Sequence, residues 1–196
     1  IAIVHAAEVP WRSADGSTRF IQNSDLFYLT GVDQEETILV LCPGHPDPEQ
    51  REILFVRETS ELIAIWEGLK LSKTEASAVS GISTVLWTDE FEPVLRRLTR
   101  SFDTIYLSQN EHARSSAPLN FYREDRFRLW CQDRYPEHRY ARLAPLLHRL
   151  RVEKSPPEID LIQKACDITA DGFSRVLGFV KPGVKEYEIE AEFLQN

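Results

Sequence analysis

Residues able to bind a metal or to transfer protons are scattered along this sequence of 196 residues. Its histidines show no H-x-H or H-x-x-x-H spacing, so each is predicted to be a surface or strand-end residue rather than a metal ligand. They are His5, His45, His112, His138 and His148. The sequence also has no G-x-S-x-G nucleophile elbow, P-loop or G-x-G-x-x-G motif. Its chemistry alone therefore does not indicate a complete enzyme.

Charge and composition are typical of a soluble globular protein. Charged residues make up 28% of the sequence, hydrophobic residues make up 42%, and the formal net charge is −8. Negative charge argues against binding to nucleic acids or anionic membranes, because both attract positive surfaces. No apolar run approaches the roughly 20 residues needed to cross a bilayer. We therefore predict no nucleic-acid partner and no membrane partner.

Residues 121–150 combine many arginines with aromatic residues, a pairing that can bind nucleic acid. Acidic residues such as Glu124 and Asp133 are interleaved with them, which opposes binding to phosphates. This segment is predicted to form an amphipathic surface helix and loop. A short helix that Pro145 opens is predicted to follow at 143–151.

The cysteines Cys42, Cys131 and Cys166 are odd in number, far apart and not in a C-x-x-C spacing. This pattern favours free thiols in a reducing compartment, and so a cytoplasmic protein. Methionine is absent, and Ile1 begins a run that resembles the middle of a strand. We therefore expect the natural N-terminus to lie upstream.

The first 150 residues are predicted to form a mixed α/β domain. The opening IAIVHAA is predicted to be a buried strand, and the Pro- and Gly-rich PGHPDPEQR is predicted to be a hairpin loop. Further predicted strands are 37–42, 52–56, 84–87 and 104–108, and predicted helices are 72–81 and 88–102. Strands that first pair as a hairpin and then alternate with helices indicate a mixed sheet.

The best-specified helix begins within KSPPEI. Ser155 is the predicted N-cap, Pro156 occupies the first helical position, and Glu158 completes an S-x-x-E capping box. Apolar residues then recur at spacings of three and four over 159–180, forming one stripe. A second amphipathic helix is predicted after the Lys-Pro-Gly stop. Because no strand follows in the sequence, we expect the stripe to pack on another copy or to remain exposed.

Three stretches together resemble the aminopeptidase P family, which forms a wider group with prolidase and creatinase. RFIQNSDLFYLTG (19–31) is similar to a family segment that runs into an aromatic strand and ends in Leu-Thr-Gly. AIWEGLK (64–70) is similar to the family's Ile-Trp-x-Gly loop. RVEKSPPEIDLIQKACDI (151–168) resembles the start of the family's catalytic domain, and the VKPGVKEYEIEAEF that follows also fits. The resemblance covers essentially the whole chain.

The resemblance implies a fold and an activity. Residues 1–150 would form the mixed-sheet, ribonuclease-H-like N-terminal domain, and residues 151–196 the first two helices of an incomplete "pita-bread" catalytic domain. The family hydrolyses the bond between an N-terminal residue and proline in peptides, and its members assemble as dimers or tetramers. The implied cofactors are two divalent metal ions, usually manganese. Their ligands lie on strands beyond these helices, so no metal ligand or catalytic residue is assigned here, and this chain alone is expected to be inactive.

The resemblance also implies three residues at the rim of the substrate pocket. Trp66 matches a tryptophan that reaches toward the active site of a neighbouring subunit. Asp15 in WRSADGS and Arg151 in LRVEKS match an aspartate and an arginine that approach the pocket. Each has a structural alternative: packing for Trp66, a turn with Gly16 for Asp15, and a helix-end charge for Arg151.

Other functions remain open from the sequence. The parent protein could be a prolidase acting on Xaa-Pro dipeptides or a creatinase-like amidinohydrolase, and the chain could be a stand-alone, non-catalytic binding module. Leu69 and Lys70 also stand where paired arginines are frequent in the family, so the resemblance does not extend to a charge-based role for that loop.

Overall fold

The computed structural model describes residues 1–14, 16–109, 111 and 122–195, which form two compact units, residues 1–147 and 148–196. The strands are β1 (Ala2–His5), β2 (Ile38–Leu41), β3 (Glu52–Val56), β4 (Thr84–Trp87), β5 (Thr104–Leu107) and β6 (Arg139–Arg142). The helices are α1 (Ser24–Thr30), α2 (Glu61–Glu67), α3 (Lys73–Ser80), α4 (Phe91–Thr99), α5 (Arg123–Arg134), α6 (Ala144–Val152), α7 (Pro156–Phe179) and α8 (Glu186–Leu194). Within these ranges no helix has both the length and the apolar character needed to cross a membrane.

The strands form one mixed sheet in the order β4-β3-β2-β1-β5-β6. β2 is antiparallel to both of its neighbours, β1 and β3, whereas the pairs β3–β4, β1–β5 and β5–β6 are parallel. The strands of this sheet other than β2 therefore share one direction, and their carboxyl ends meet at the same edge. The predicted mixed-sheet α/β fold and the β2–β3 hairpin are confirmed.

Both faces of the sheet are covered, because successive side chains of a strand point to opposite faces. On one face, Ile3, Val40 and Phe55 pack with residues of α4 and α5. On the other face, Val4 and Leu54 pack with residues of α1, α3 and α6. The central strands are therefore apolar at consecutive positions, as is typical of a sheet buried on both sides.

Residues 122–150 contribute more to the core than the sequence pattern predicted. α5 places Cys131 in the core, and Phe127 and Trp130 pack against it. β6 adds a polar edge strand beside β5, and Tyr140 Oη on β6 donates to Cys131 O at 2.8 Å. The predicted amphipathic helix is therefore present and buries one face, whereas the predicted loop after it is wrong, because the strand β6 lies there.

Residues 24–30 form a helix rather than the aromatic strand that the resemblance implied. Asn23 caps α1, since its Oδ1 accepts hydrogen bonds from two backbone N–H groups of the first turn at 2.9 and 3.1 Å. Gly31 ends the helix in the left-handed conformation, with a φ of 67°. Caps at both ends thus outweigh the strand preference of the aromatic residues between them.

α7 and α8 make up most of the second unit. α7 begins where the capping box predicted, because the Glu158 carboxylate accepts hydrogen bonds from Ser155 Oγ at 2.6 Å and from Ser155 N at 2.8 Å. These bonds lower the pKa of Glu158. Phe173 and Phe193 join the two helices, with ring centroids 5.2 Å apart. Of the α7 residues only Gly172 is buried, so the stripe is exposed, which agrees with one of its two predicted outcomes.

The cysteines are free, as predicted. Burial raises the pKa of Cys42 to about 11 and that of Cys131 to about 12. Both thiols are therefore protonated and unreactive at neutral pH, whereas Cys166 is exposed.

Replacing Phe55 by alanine tests whether the doubly buried sheet stabilises the first unit. Phe55 is fully buried on β3, and its ring lies edge-on to Phe91 at 5.3 Å. We expect Phe55→Ala to lower the free energy of unfolding by about 3–5 kcal/mol in urea titrations, because it removes a packed ring and leaves a cavity. Phe27→Ala, at a half-exposed position, is the matched control and should cost less than about 1 kcal/mol. Equal losses in the two variants would contradict this packing.

Candidate functional site

A cavity of about 1050 Å³ lies in the first unit at the edge of the sheet where the carboxyl ends meet. Its wall includes Ala7 just beyond β1, Arg57 just beyond β3 and Thr88 just beyond β4, together with Ile38 at the start of the antiparallel β2. Loops at the carboxyl ends of strands are the usual place for a ligand site in open α/β sheets. The topology of the sheet therefore makes this edge the expected position of a ligand site.

The cavity wall combines opposite charges with aromatic surface. Its acidic side chains are Glu8, Glu35, Glu36 and Glu67, its basic side chains are Arg57, Lys70 and Arg123, and its aromatic side chains are Trp11, Phe20 and Trp66. Such a wall can contact both charged and apolar parts of a peptide.

Two side-chain amides, those of the half-buried Gln22 and the buried Gln34, hold the loops around the cavity. Gln22 Nε2 donates to Val32 O at 3.1 Å and to Gln34 O at 2.9 Å, while Gln22 Oε1 accepts from Ala7 N at 3.1 Å. Gln34 Oε1 in turn accepts from Leu71 N at 2.7 Å. The glutamine of the QNSD motif therefore joins the end of β1 to the loop after α1, and Gln34 joins that loop to the segment after α2.

Arg57 is the centre of a charge cluster on the wall. Its guanidinium binds the Glu67 carboxylate through both terminal nitrogens, with Nη1–Oε2 and Nη2–Oε1 distances of 2.5 and 2.9 Å. Arg57 Nη1 also lies 3.7 Å from Glu35 Oε1, and Lys70 Nζ lies 2.5 Å from that same oxygen. The resemblance did not extend to a charge-based role for the segment after Trp66, yet Lys70 takes part in this cluster.

The backbone at Glu36 places a third carboxylate near Arg57. Successive side chains of an extended chain point to opposite sides, but Glu36 adopts the left-handed conformation with a φ of 58°. Its Oε2 consequently lies 4.0 Å from Arg57 Nε, next to the Glu35 carboxylate. A non-glycine residue in this conformation is strained.

The charges in the cluster shift their partners' pKa values. Burial favours the neutral form of Glu35, but the hydrogen bond from Lys70 and the charges of Lys70 and Arg57 outweigh it and lower the pKa of Glu35. The hydrogen bond to Glu67 raises the pKa of Arg57. The carboxylate of Glu35 and the guanidinium of Arg57 are therefore both ionised at neutral pH.

His5 ends β1 next to this edge and is buried between aromatic rings. Its ring lies edge-on to Phe127, with centroids 4.0 Å apart, and 6.1 Å from Phe91. Within the described part of the chain neither ring nitrogen has a hydrogen-bond partner. Burial, followed by the charge of Arg123, lowers the pKa of His5 to about 3. His5 is therefore neutral at physiological pH, and its prediction as a strand-end residue is confirmed.

The three residues predicted at the rim of the substrate pocket have separate outcomes in the structure. Trp66 lines the cavity from the last turn of α2, rather than from a loop, and is 82% exposed. Asp15 lies outside the described residues, although Ala14 and Ser17 line the same cavity as Trp66. Arg151 is half-buried near the end of α6 and belongs to the second unit.

The residues of the charge cluster were not found from the sequence. Glu35 and Glu67 are 32 positions apart along the chain, so no spacing rule joins them to Arg57. The one available signal was the departure from the family pattern after Trp66, where Leu69 and Lys70 stand in place of paired arginines.

The residues that the structure describes do not fit a metal pair. They contain no group of three or more His, Cys, Asp or Glu side chains that could hold a metal ion. The carboxylates on the cavity wall are instead paired with cations: Glu35, Glu36 and Glu67 with Arg57 or Lys70, and Glu8 with Arg126. No residue of the described part is therefore assigned as a ligand.

The sequence of this chain is similar to the sequences of known proteins. Residues 1–106 match the family model of the N-terminal domain of aminopeptidase P. The Xaa-Pro aminopeptidase of Escherichia coli K12 is 31% identical over 191 residues, which cover 97% of this chain and 43% of the relative.

Solved structures agree in fold. Proline aminopeptidase P II from Yersinia pestis has a TM-score of 0.77 and 29% identity, covering 98% of this chain and 44% of its own. A zinc-substituted E. coli aminopeptidase P in complex with product has a TM-score of 0.74 and 31% identity, covering 98% and 43%. The chain thus spans less than half the length of the proteins it matches.

The buried His5 should make the first unit sensitive to acid. Its folded pKa lies below its unfolded value, so the unfolded chain binds more protons, and stability is lost as pH falls from about 6.5 toward 3. We expect His5→Leu to remove about 2–3 kcal/mol of the loss in unfolding free energy between pH 7.5 and 4.5, measured in urea. His148→Leu, at an exposed position, should leave the pH dependence unchanged. Identical pH profiles for wild type and His5→Leu would refute a buried neutral imidazole.

Proposed function

The chain belongs to the aminopeptidase P family, and from this premise we propose that it is the N-terminal part of a metal-dependent Xaa-Pro aminopeptidase. Such an enzyme releases an N-terminal residue that precedes proline in a peptide. The family match over residues 1–106 and the Xaa-Pro aminopeptidase among the relatives support the proposal. Residues 151–196 are proposed to be the first two helices of the catalytic domain.

Within that enzyme this chain contributes the rim of the substrate pocket and not the bond-breaking groups. The observation that carries the proposal is the position of Trp66, whose exposed indole lies on the wall of the cavity at the sheet edge. The rigid, apolar ring of proline packs favourably against the face of an indole. On the resemblance of their motifs, we also propose Asp15 and Arg151 as residues at the rim of the substrate pocket, in their own or a neighbouring subunit.

Trp66 is proposed to act in the pocket of a neighbouring subunit of a dimer or tetramer. The α2 segment supports this role, because it exposes a group of large apolar side chains that a monomer leaves in water. They are Leu62, Ile65, Trp66 and Leu69, each at least 67% exposed. Contact with a second copy would bury this surface and bring the indole to the partner's substrate.

The metal pair, of manganese type, is proposed to be held by residues outside this chain. One of the similar solved structures is zinc-substituted, which supports a metalloenzyme; manganese as the natural metal is our proposal. Oxygen-rich ligand sets with one histidine suit manganese. We further propose a cytoplasmic location, because the free cysteines suit a reducing compartment.

Replacing Trp66 in the full-length enzyme tests the role of the indole. We expect Trp66→Ala to lower kcat/KM for Xaa-Pro-Xaa peptides by about fivefold or more, because the transition state loses an apolar contact. Ile21→Ala is the matched control, since Ile21 is 75% exposed and does not line the cavity; it should leave kcat/KM unchanged.

Two further assays test the proposed function. Residues 1–196 alone are expected to cleave no Xaa-Pro bond, and cleavage by this chain would overturn the assignment of the catalytic groups to residues outside it. The full-length enzyme is expected to cleave peptides longer than two residues. Exclusive cleavage of Xaa-Pro dipeptides would make the protein a prolidase instead.

A further inference from the structure

α2 carries the exposed Trp66 but has almost no apolar attachment of its own. None of its residues is buried, and its largest side chains point into solvent. A seven-residue helix is too short to be stable in isolation. Something other than core packing must therefore fix the direction in which the indole points.

The charge cluster supplies that attachment in the segment that directly follows Trp66. Glu67, the residue after Trp66, is held by the paired hydrogen bonds of Arg57 at 2.5 and 2.9 Å. Lys70 ends the turn that follows and lies 2.5 Å from Glu35. Gly68 permits this tight turn, since it ends α2 with a φ of 81°. The chain that follows Trp66 is thus joined to two carboxylate–cation contacts, one at Glu67 and one at Lys70.

The cluster is itself held by rigid elements. Arg57 directly follows Val56, which is fully buried at the end of β3. The backbone of Gln34, the residue before Glu35, accepts the hydrogen bond from Gln22 at 2.9 Å. Paired guanidinium–carboxylate bonds are planar and fix orientation as well as distance, which a single ammonium cannot do. These contacts can therefore fix the position of α2 relative to the sheet.

We propose that Arg57, Glu67, Glu35 and Lys70 form a charge clamp that positions the Trp66 indole at the cavity rim. These are positioning residues, which act on substrate through Trp66 and do not contact it themselves. The use of the clamp in peptide cleavage rests on the proposed function, whereas its effect on Trp66 can be measured in this chain alone. Loss of the clamp should free α2 while the buried sheet remains folded, because partly exposed ion pairs contribute little to global stability.

Time-resolved fluorescence anisotropy of Trp66 tests the clamp directly. The signal of Trp66 is the difference between each protein and the same protein with Trp66→Phe, which cancels the emission of the other tryptophans. We expect Glu67→Gln to increase the amplitude of the fast, nanosecond component about twofold or more, since segmental motion occurs on that timescale. Arg57→Lys, which keeps the charge but loses the paired bonds, should give a smaller increase.

Glu92→Gln is the matched control for this measurement. Glu92 is also a surface carboxylate paired with an arginine, since it lies 3.6 Å from Arg134, and its side chain is 44% exposed against 42% for Glu67. We expect this variant to leave the Trp66 anisotropy unchanged. An unchanged fast component in Glu67→Gln, or an equal increase in Glu92→Gln, would overturn the clamp.

Kinetics of the full-length enzyme connect the clamp to cleavage. If the clamp acts through Trp66, Glu67→Gln should lower kcat/KM for Xaa-Pro-Xaa peptides about threefold or more in the wild type, and should have no further effect in Trp66→Ala, because effects of residues that act as a unit are not additive. Equal losses in both backgrounds would overturn positioning through Trp66. A Trp66→Ala enzyme with normal kcat/KM would instead refute the proposed function of the indole, while the anisotropy would still decide the clamp.

Discussion

Burial of the central strands on both faces is the constraint on which the rest of this structure depends. β1, β2 and β3 contribute apolar side chains to two separate cores, so charged groups are kept to the ends of these strands. Charges begin where the strands end, as Arg57 does directly after Val56. Because β2 alone opposes the shared strand direction of this sheet, most of these ends meet at one edge. The cavity and its charges are consequences of that topology.

Loops at this edge are fixed by directional polar contacts in place of packing. The side chains of Gln22 and Gln34 link three separate loops, and Arg57 links the end of β3 to the loop after α1 through Glu35 and to α2 through Glu67. Hydrogen bonds and paired charges set orientation, whereas apolar contact is non-directional. Such a framework holds apolar side chains such as Trp66 in a defined position while they remain exposed. The proposed site between two subunits requires such a position.

The sequence predicted those parts of the fold that local patterns determine. β2 and β3 were predicted because burial on both faces makes their residues apolar in succession, and α7 because Ser155 and Glu158 form a local cap. β6 was not predicted, since an edge strand with arginines at both ends has no such pattern. α1 was not predicted, since the resemblance implied an aromatic strand there, whereas the caps at Asn23 and Gly31 stabilise a helix.

The candidate site was predictable only in part. Trp66 was found through its motif, whereas the partners of Arg57 come from loops whose approach depends on the whole sheet. The most direct test of the account is an experimental structure of the full-length enzyme with a bound Xaa-Pro product. We predict that the Trp66 indole of one subunit lies in van der Waals contact, about 4 Å, with the peptide in a neighbouring subunit. An indole remote from every bound peptide would contradict the account.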